Sequence, residues 1–282
     1  MSLGGARANK TEQRAFDQLA AGGILSIAAA GNDGNTALSY PAGYASVMSV
    51  AALDEAWQWA TFSQHNSKVE IAAPGFNVLS TVPMDTGSAF SFAMGGVGYE
   101  AGGMDGAPRL TATGALFDLG LGNAVNAGAA GKVCLIARGT VDFATKVGNC
   151  QAGGGVGAVV YNNVAGGFGG TLGTTVSTIP SVTASDSDGP AMRAQLGLSA
   201  TVAVAPASNA FFDGTSMATP HVSAVAALVW SRNLNCSAAQ LRNSLNKSAL
   251  DLGPAGRDTR FGFGLVQAKA ADDRIKSLGC GN

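Results

Sequence analysis

The chain has 282 residues, 46% of them hydrophobic and only 12% charged, with a formal net charge of −1. That length is enough for two domains with cores of their own, and a near-neutral chain poor in charge offers no electrostatic footprint for nucleic acid or an anionic membrane surface. Its longest nearly apolar run, Val222 to Trp230, falls far short of the ~20 residues a membrane span needs, so neither membrane nor nucleic acid is expected as a partner.

In chain order, Asn9 to Ala21 reads as an amphipathic helix capped by Asn9 with Glu12 three positions on, and Gly22-Gly23 closes it. Ile24 to Ala30 is an apolar run of strand length that ends at Gly31-Asn32. Helix followed by strand argues for an α/β core, a parallel sheet covered by helices with functional residues at its strand ends. At Val82-Pro83 the composition shifts towards Gly, Thr and Val, with strand-like runs at 132–137, 157–161 and 200–205 and a helix-like segment from Phe143 to Ala152. This predicts a β-rich insert over 83–206 between two core segments, 1–82 and 207–282. Inside it, Gly153-x-Gly155-x-x-Ala158 imitates a dinucleotide fingerprint, but a helical segment precedes it and a strand follows, the reverse of what that motif requires. Gly166 to Gly170 lacks the Gly-Lys-Ser/Thr ending of a phosphate cradle and reads as a mobile surface loop.

Gly214-Thr215-Ser216-Met217-Ala218-Thr219-Pro220-His221 puts a serine on a glycine-flanked turn at the mouth of an apolar helix, where free N–H groups and positive partial charge favour an oxyanion. The apolarity of Val222 to Trp230 predicts that this helix is buried. A second capping box, Ser237-Ala238-Ala239-Gln240, opens a helix running to about Ser248.

The octapeptide with Val222 resembles the nucleophile motif of subtilisin-like serine proteases. Ala28 to Gly34 resembles the family's oxyanion-hole segment, and Met1 to Gly5 the strand that lines its substrate cleft; Tyr40-Pro41, Val47 to Leu53, Phe62-Ser63 and Ala72 to Gly75 follow in the family's order. Gly131 to Gly139, Phe143 to Ala152, Gly157 to Asn163 and Ile179 to Val182 together resemble the protease-associated domain. Asn32 and Ser216 lie 184 positions apart, and excising 83–206 removes 124 and leaves 60, a plausible distance within one core.

The resemblance implies that Ser216 attacks the scissile carbonyl of polypeptide substrates while its own N–H and the Asn32 amide donate to the oxyanion. It makes Ser2, Leu3 and Gly4 a strand edge for the substrate backbone, Ala29, Ala30 and Gly31 a facing wall, and Ser39 the floor of a roomy apolar primary pocket. No cofactor is required. An X-Pro bond in the tight bend at Tyr40-Pro41 is a candidate for the cis isomer. Beyond it, carbonyls of Ala42, Tyr44 and Val47 with Glu70 form a candidate structural Ca²⁺ or Na⁺ site.

A serine hydroxyl needs a histidine to take its proton and a carboxylate to orient that histidine. Only two histidines exist. His221 lies five residues beyond Ser216 on the same helix, about 140° around it, and His65 sits in a polar turn expected to be solvated. Asp85-Thr86-Gly87 imitates the family's aspartate motif but falls at the entry to the insert. The expectation is an incomplete core whose partner is the missing N-terminal part of the catalytic domain, with an unpaired sheet edge that favours association. The other reading is a non-catalytic fragment whose protease-associated domain binds peptide or protein partners. Four cysteines permit disulfides without demanding them, and few lysines with 40 glycines lean towards a secreted protein. Of the three possible connectivities, pairing within each domain is the simplest, giving Cys134 with Cys150 and Cys236 with Cys280.

Overall fold

The apolar run after Gly23 forms the strand Ser26–Ala29, which pairs in parallel with Val47–Leu53, and that strand in turn pairs in parallel with Val69–Pro74. Every residue of Val47–Leu53 is buried. This is why the strands are largely apolar without a polar alternation, because a parallel sheet is covered on both faces and has no solvent side to alternate towards. The computed structural model describes all residues from Met1 to Asn282. The sheet belongs to one of two units in the chain, formed by Met1–Leu79 with Phe211–Asn282, while Ser80–Ala210 form the other.

Alternate residues of each strand point to opposite faces. Met48, Val50 and Ala52 pack with Ala218, Val222, Ala226 and Val229 of the helix Thr215–Arg232, and Leu241, Leu245 and Ile275 of the helices Ala238–Lys247 and Ala268–Leu278 extend that cluster. Ala51 and Leu53 meet Phe261 and Leu265 in a separate cluster. Burying a Leu or Ile side chain in this way contributes roughly 1.5–3 kcal/mol. The helix after Ser216 departs from its expected burial: residues at i, i+3 and i+4 spacing are covered, yet Leu228 is 56% exposed. A sheet covers only the stripe of a helix that faces it, whatever the composition of the rest. No helix is long and apolar enough to cross a membrane.

The helix Lys10–Ala21 is capped by Asn9, whose Oδ1 accepts from the backbone N–H of Thr11 at 2.8 Å and Glu12 at 3.3 Å. Glu12 does not close the reciprocal half of a capping box. Its carboxylate accepts from the Tyr44 hydroxyl at 2.7 Å, and that hydroxyl accepts from the Asn9 N–H at 2.8 Å, so the return path runs through a side chain 35 positions away. At Ser237 the reciprocal box with Gln240 is present, and its helix ends at Lys247.

Helices Thr215–Arg232 and Ala268–Leu278 are joined by Asp272. Its carboxylate accepts from Lys276 Nζ at 2.6 Å, Asn233 Nδ2 at 3.0 Å and Arg232 Nε at 3.1 Å. The Lys276 hydrogen bond first, then that of Asn233, hold its pKa at about 2 against an ordinary 3.8. A carboxyl whose folded pKa is depressed stabilises the fold above its unfolded value and loses that contribution as pH falls through its folded one. The stability difference between the native chain and Asp272→Asn should therefore be full above pH 3.8 and close towards about pH 2. Urea titrations at stepped pH measure it; a difference independent of pH would show that the charge of Asp272 contributes nothing.

In the second unit a seven-stranded sheet runs in the order Ser181–Ala184, Gly157–Tyr161, Val133–Ala137, Thr111–Gly120, Ser199–Ala207, Gly87–Met94 and Val97–Tyr99. The first four strands are mutually parallel and the rest antiparallel. The helix Phe143–Ala152 is tied to the strand Val133–Ala137 by the disulfide Cys134–Cys150. Gly155, the centre of the false dinucleotide motif, is small for a packing reason: a Cβ there would lie 2.3 Å from Cys150 Sγ. Gly166 to Gly170 is held rather than loose, since the Gly166 N–H donates to Asp186, its carbonyl accepts from Asn162, and Gly170–Thr171 pairs with Met104–Asp105. The other disulfide, Cys236–Cys280, lies in the first unit.

Candidate active site

Ser216 occupies the first turn of the helix Thr215–Arg232, and the sequence around it arranges each neighbour. Pro220, inside the helix, has no N–H to donate to the carbonyl four residues back, which is that of Ser216. The Ser2 hydroxyl takes the freed carbonyl at 2.6 Å, and the Ser216 hydroxyl lies 3.2 Å from the Ser2 carbonyl oxygen. The segment resembling a cleft strand is thereby held beside Ser216 by two reciprocal hydrogen bonds. It is anchored on both sides: the Ala29 N–H donates to the Met1 carbonyl, and Gly5 and Tyr40 exchange backbone hydrogen bonds at 2.8 Å. Between these anchors the backbone groups of Leu3 and Gly4 bond to nothing else in the chain, and Leu3 is 62% exposed.

Asn32, at the end of the strand Ser26–Ala29 and past Gly31, is oriented by Thr215. Its Oδ1 accepts from the Thr215 N–H at 2.9 Å and the Thr215 hydroxyl at 2.8 Å, while that hydroxyl accepts from the Gly31 N–H at 3.1 Å. A backbone N–H can only donate, so the amide is turned with its oxygen inward. Its Nδ2 is thereby the donor left over beside Ser216.

A cavity of about 310 Å³ brings these groups together, lined by Leu3, Gly4, Ala29, Gly31, Asn32, Ser39 and Ser216 among others. Gly4 and Gly31 are small for contact reasons. A Cβ on Gly4 would lie 2.3 Å from Ser39 Oγ, and one on Gly31, whose φ is +109°, would lie 1.4 Å from Gln64 Oε1. Ala30 is not part of the lining; at 2% exposure it packs with Ala51 and Leu53, because successive strand residues face opposite ways.

Thr215 and Gln64 also line the cavity, though the sequence assigns neither a role in it. Thr215 belongs to the Gly-Thr-Ser motif without a role of its own there, while Gln64, 3% exposed with its Nε2 donated to the Ala37 carbonyl at 2.7 Å, carried no signal at all.

Neither histidine completes the constellation. His221 turns its Nδ1 to the Met217 carbonyl, 2.9 Å away along its own helix. His65 is not the solvated turn residue expected of it: its ring stands edge-on to Trp59 at 5.1 Å and its Nδ1 is buried without a partner, since the turn folds back onto Trp59. Asp85 sits in the other unit with a φ of +59°, in a turn whose carbonyls Arg109 binds. The Tyr40–Pro41 peptide is cis.

A family model for the subtilase family matches residues 1–100, and one for the PA domain matches residues 108–192. The solved structure of the psychrophilic subtilisin-like protease Apa1 from the Antarctic psychrotroph Pseudoalteromonas sp. AS-11 superposes on the whole chain and on 71% of its own, at 37% identity and a TM-score of 0.80. The chain belongs to the subtilase family. It is also 27% identical to alkaline elastase YaB from Bacillus sp. (strain YaB) over 96% of its length, and 42% identical to subtilisin BL from Lederbergia lenta over 30%. It spans 39% and 32% of the lengths of those two proteins.

In this subtilase chain two of the groups expected to coordinate a cation, Glu70 and the Val47 carbonyl, bond to an arginine. Arg242 forms a forked ion pair with Glu70, its Nε donating to Oε1 at 2.6 Å and its Nη2 to Oε2, and Nη2 also donates to the Val47 carbonyl at 3.1 Å. The Tyr44 carbonyl accepts from the Val47 N–H. The positive charge facing Glu70 is thus supplied by the chain itself, through a planar fork that matches a carboxylate.

Proposed function

We propose that the chain carries the nucleophile half of a secreted serine endopeptidase site. Ser216 attacks a peptide carbonyl, the Ser216 N–H and Asn32 Nδ2 receive the oxyanion, the amine leaves, and water hydrolyses the acyl-enzyme. The observation that carries this reading is the orientation of Asn32, whose oxygen is saturated by Thr215 so that its N–H₂ is the group presented next to Ser216. Leu3 and Gly4 offer unpaired backbone groups to an extended substrate, and the glycine-walled cavity admits large uncharged side chains. Two disulfides suit an oxidising, extracellular setting.

The general base and its carboxylate come, on this reading, from outside these 282 residues, since no side-chain base bonds the Ser216 hydroxyl. The chain alone should then neither cleave casein nor react rapidly with a fluorophosphonate probe, which reports an activated hydroxyl. Supplying an upstream subtilase segment with the aspartate and histidine should produce both activities together. Rapid labelling of Ser216 in the chain alone would show that another group here acts as base. A supplemented protein that folds yet stays inert would favour the reading in which the PA domain binds peptides without cleavage.

A further inference from the structure

A second cavity, of about 330 Å³, lies in the unit formed by Met1–Leu79 and Phe211–Asn282, and Lys68, Glu70, Arg242, Arg257, Tyr44 and Phe263 contribute to its wall. Its charges do not cancel. Glu70 is neutralised by the Arg242 fork and further bonded by Asn246 Nδ2 at 2.7 Å, and Arg242 commits its other Nη to the Ala45 carbonyl at 3.0 Å. That pair is neutral as a unit. Lys68 and Arg257 are left without any carboxylate within 4.0 Å, and the Lys68 ammonium makes no hydrogen bond to the protein.

Arg257 is held ready rather than free to swing. Its Nη2 donates to the carbonyls of Ser67 at 3.0 Å and Val69 at 3.1 Å, and its guanidinium lies 5.3 Å from the centre of the Phe263 ring. The Nε and Nη1 hydrogens of the same fork remain without partners. A donor already immobilised by carbonyls loses little entropy when it captures a ligand. Because its Nη2 is spent on those carbonyls, the free Nε and Nη1 hydrogens, which lie on opposite sides of the guanidinium, each offer a single charge-assisted hydrogen bond to an oxyanion. The volume lies at the lower end of the roughly 300–1,000 Å³ range of small-molecule sites.

We propose that this cavity binds a small multivalent oxyanion, with Arg257 and Lys68 as its ligands and the Arg242–Glu70 pair as a neutral wall. The shared chemistry is two or more negative oxygens within the reach of two cations. Inorganic phosphate and a short polycarboxylate such as citrate both provide it, whereas a cation would meet two uncompensated positive charges. The segment from Ser39 to Val47 borders both cavities, Ser39 in the one with Ser216 and Tyr44 and Val47 in this one. An oxyanion held here therefore braces the loop that borders the candidate active site.

The test is isothermal titration of the full chain with sodium phosphate and, separately, sodium citrate, each against sodium chloride at matched ionic strength. Saturable binding of at least one is expected, with the stronger of the two identifying a tetrahedral or a carboxylate preference. Lys68→Met should weaken it about fivefold or more and Arg257→Met by more than that, as befits charge-assisted hydrogen bonds. Because Arg257 also holds two backbone carbonyls, the variant Lys68→Met, whose ammonium supports nothing in the fold, keeps the test decisive if Arg257→Met does not fold. No heat beyond the chloride control, or affinities unchanged in Lys68→Met, would overturn the proposal.

Discussion

Replacing Asn32 with alanine, in a protein supplemented with the aspartate and histidine segment, is expected to lower turnover by about 10²–10³, the magnitude known for the oxyanion-hole asparagine of subtilisin itself. The physical reason is local. The Asn32 amide has its oxygen committed to the Thr215 N–H and hydroxyl, so its remaining donor is positioned before any substrate arrives and needs no reorganisation as charge develops. A donor that strengthens only in the transition state changes kcat and leaves KM nearly untouched. Thr215→Val separates orientation from presence: it keeps Asn32 and the Thr215 backbone N–H but removes the hydroxyl that accepts from Gly31 and donates to Asn32. It should lie between the native protein and Asn32→Ala in kcat. Steady-state kinetics on a peptide anilide measure all three, and an Asn32→Ala protein that raises KM at unchanged kcat would place this amide in substrate binding instead.

Removing the disulfide Cys236–Cys280 should cost the unit that contains it about 4 kcal/mol, because the crosslink closes a long loop in the unfolded chain. The two cysteines are 44 positions apart, against 16 for Cys134 and Cys150. In the native state both belong to or pack against the cluster that covers one sheet face, so paired alanines leave the crosslink as the main loss. The chain offers a probe for this unit alone: Trp57, Trp59 and Trp230 are its three tryptophans, and all lie in the unit formed by Met1–Leu79 and Phe211–Asn282. Urea unfolding followed by tryptophan fluorescence should therefore shift strongly in Cys236→Ala/Cys280→Ala. In Cys134→Ala/Cys150→Ala the same transition should stay where it is. A shift of equal size in both would mean that the two units unfold as one, and no shift in either would remove the stabilising role of the terminal crosslink.

The nucleophile motif, the helix from Lys10 to Ala21, the capped helix after Ser237 and the strands of the insert were legible in the sequence. The reason is that caps, glycine stops and apolar runs act within a few residues, where the backbone responds to its own side chains. The position of a single side chain within such an element was not legible when it depended on distant partners. Glu12 has the spacing of a capping-box residue, and only the approach of Tyr44 sends its carboxylate elsewhere. Glu70 has the chemistry of a cation ligand, and only Arg242, 172 positions later, makes it one arm of an ion pair. His65 looks like a solvated turn residue until it packs edge-on against Trp59, and the largely apolar helix after Ser216 cannot say which of its faces the sheet will cover.

The sequence by itself therefore determined the family, the two-part organisation and the identity of the candidate nucleophile, all of which rest on contiguous motifs. Tertiary structure alone decided how Thr215 turns the Asn32 amide, how Ser2 takes the carbonyl that Pro220 releases, and where the charges of Lys68 and Arg257 go uncompensated. Each of these depends on segments far apart in the chain, and such pairings exist only once the burial of the sheet has brought those segments together.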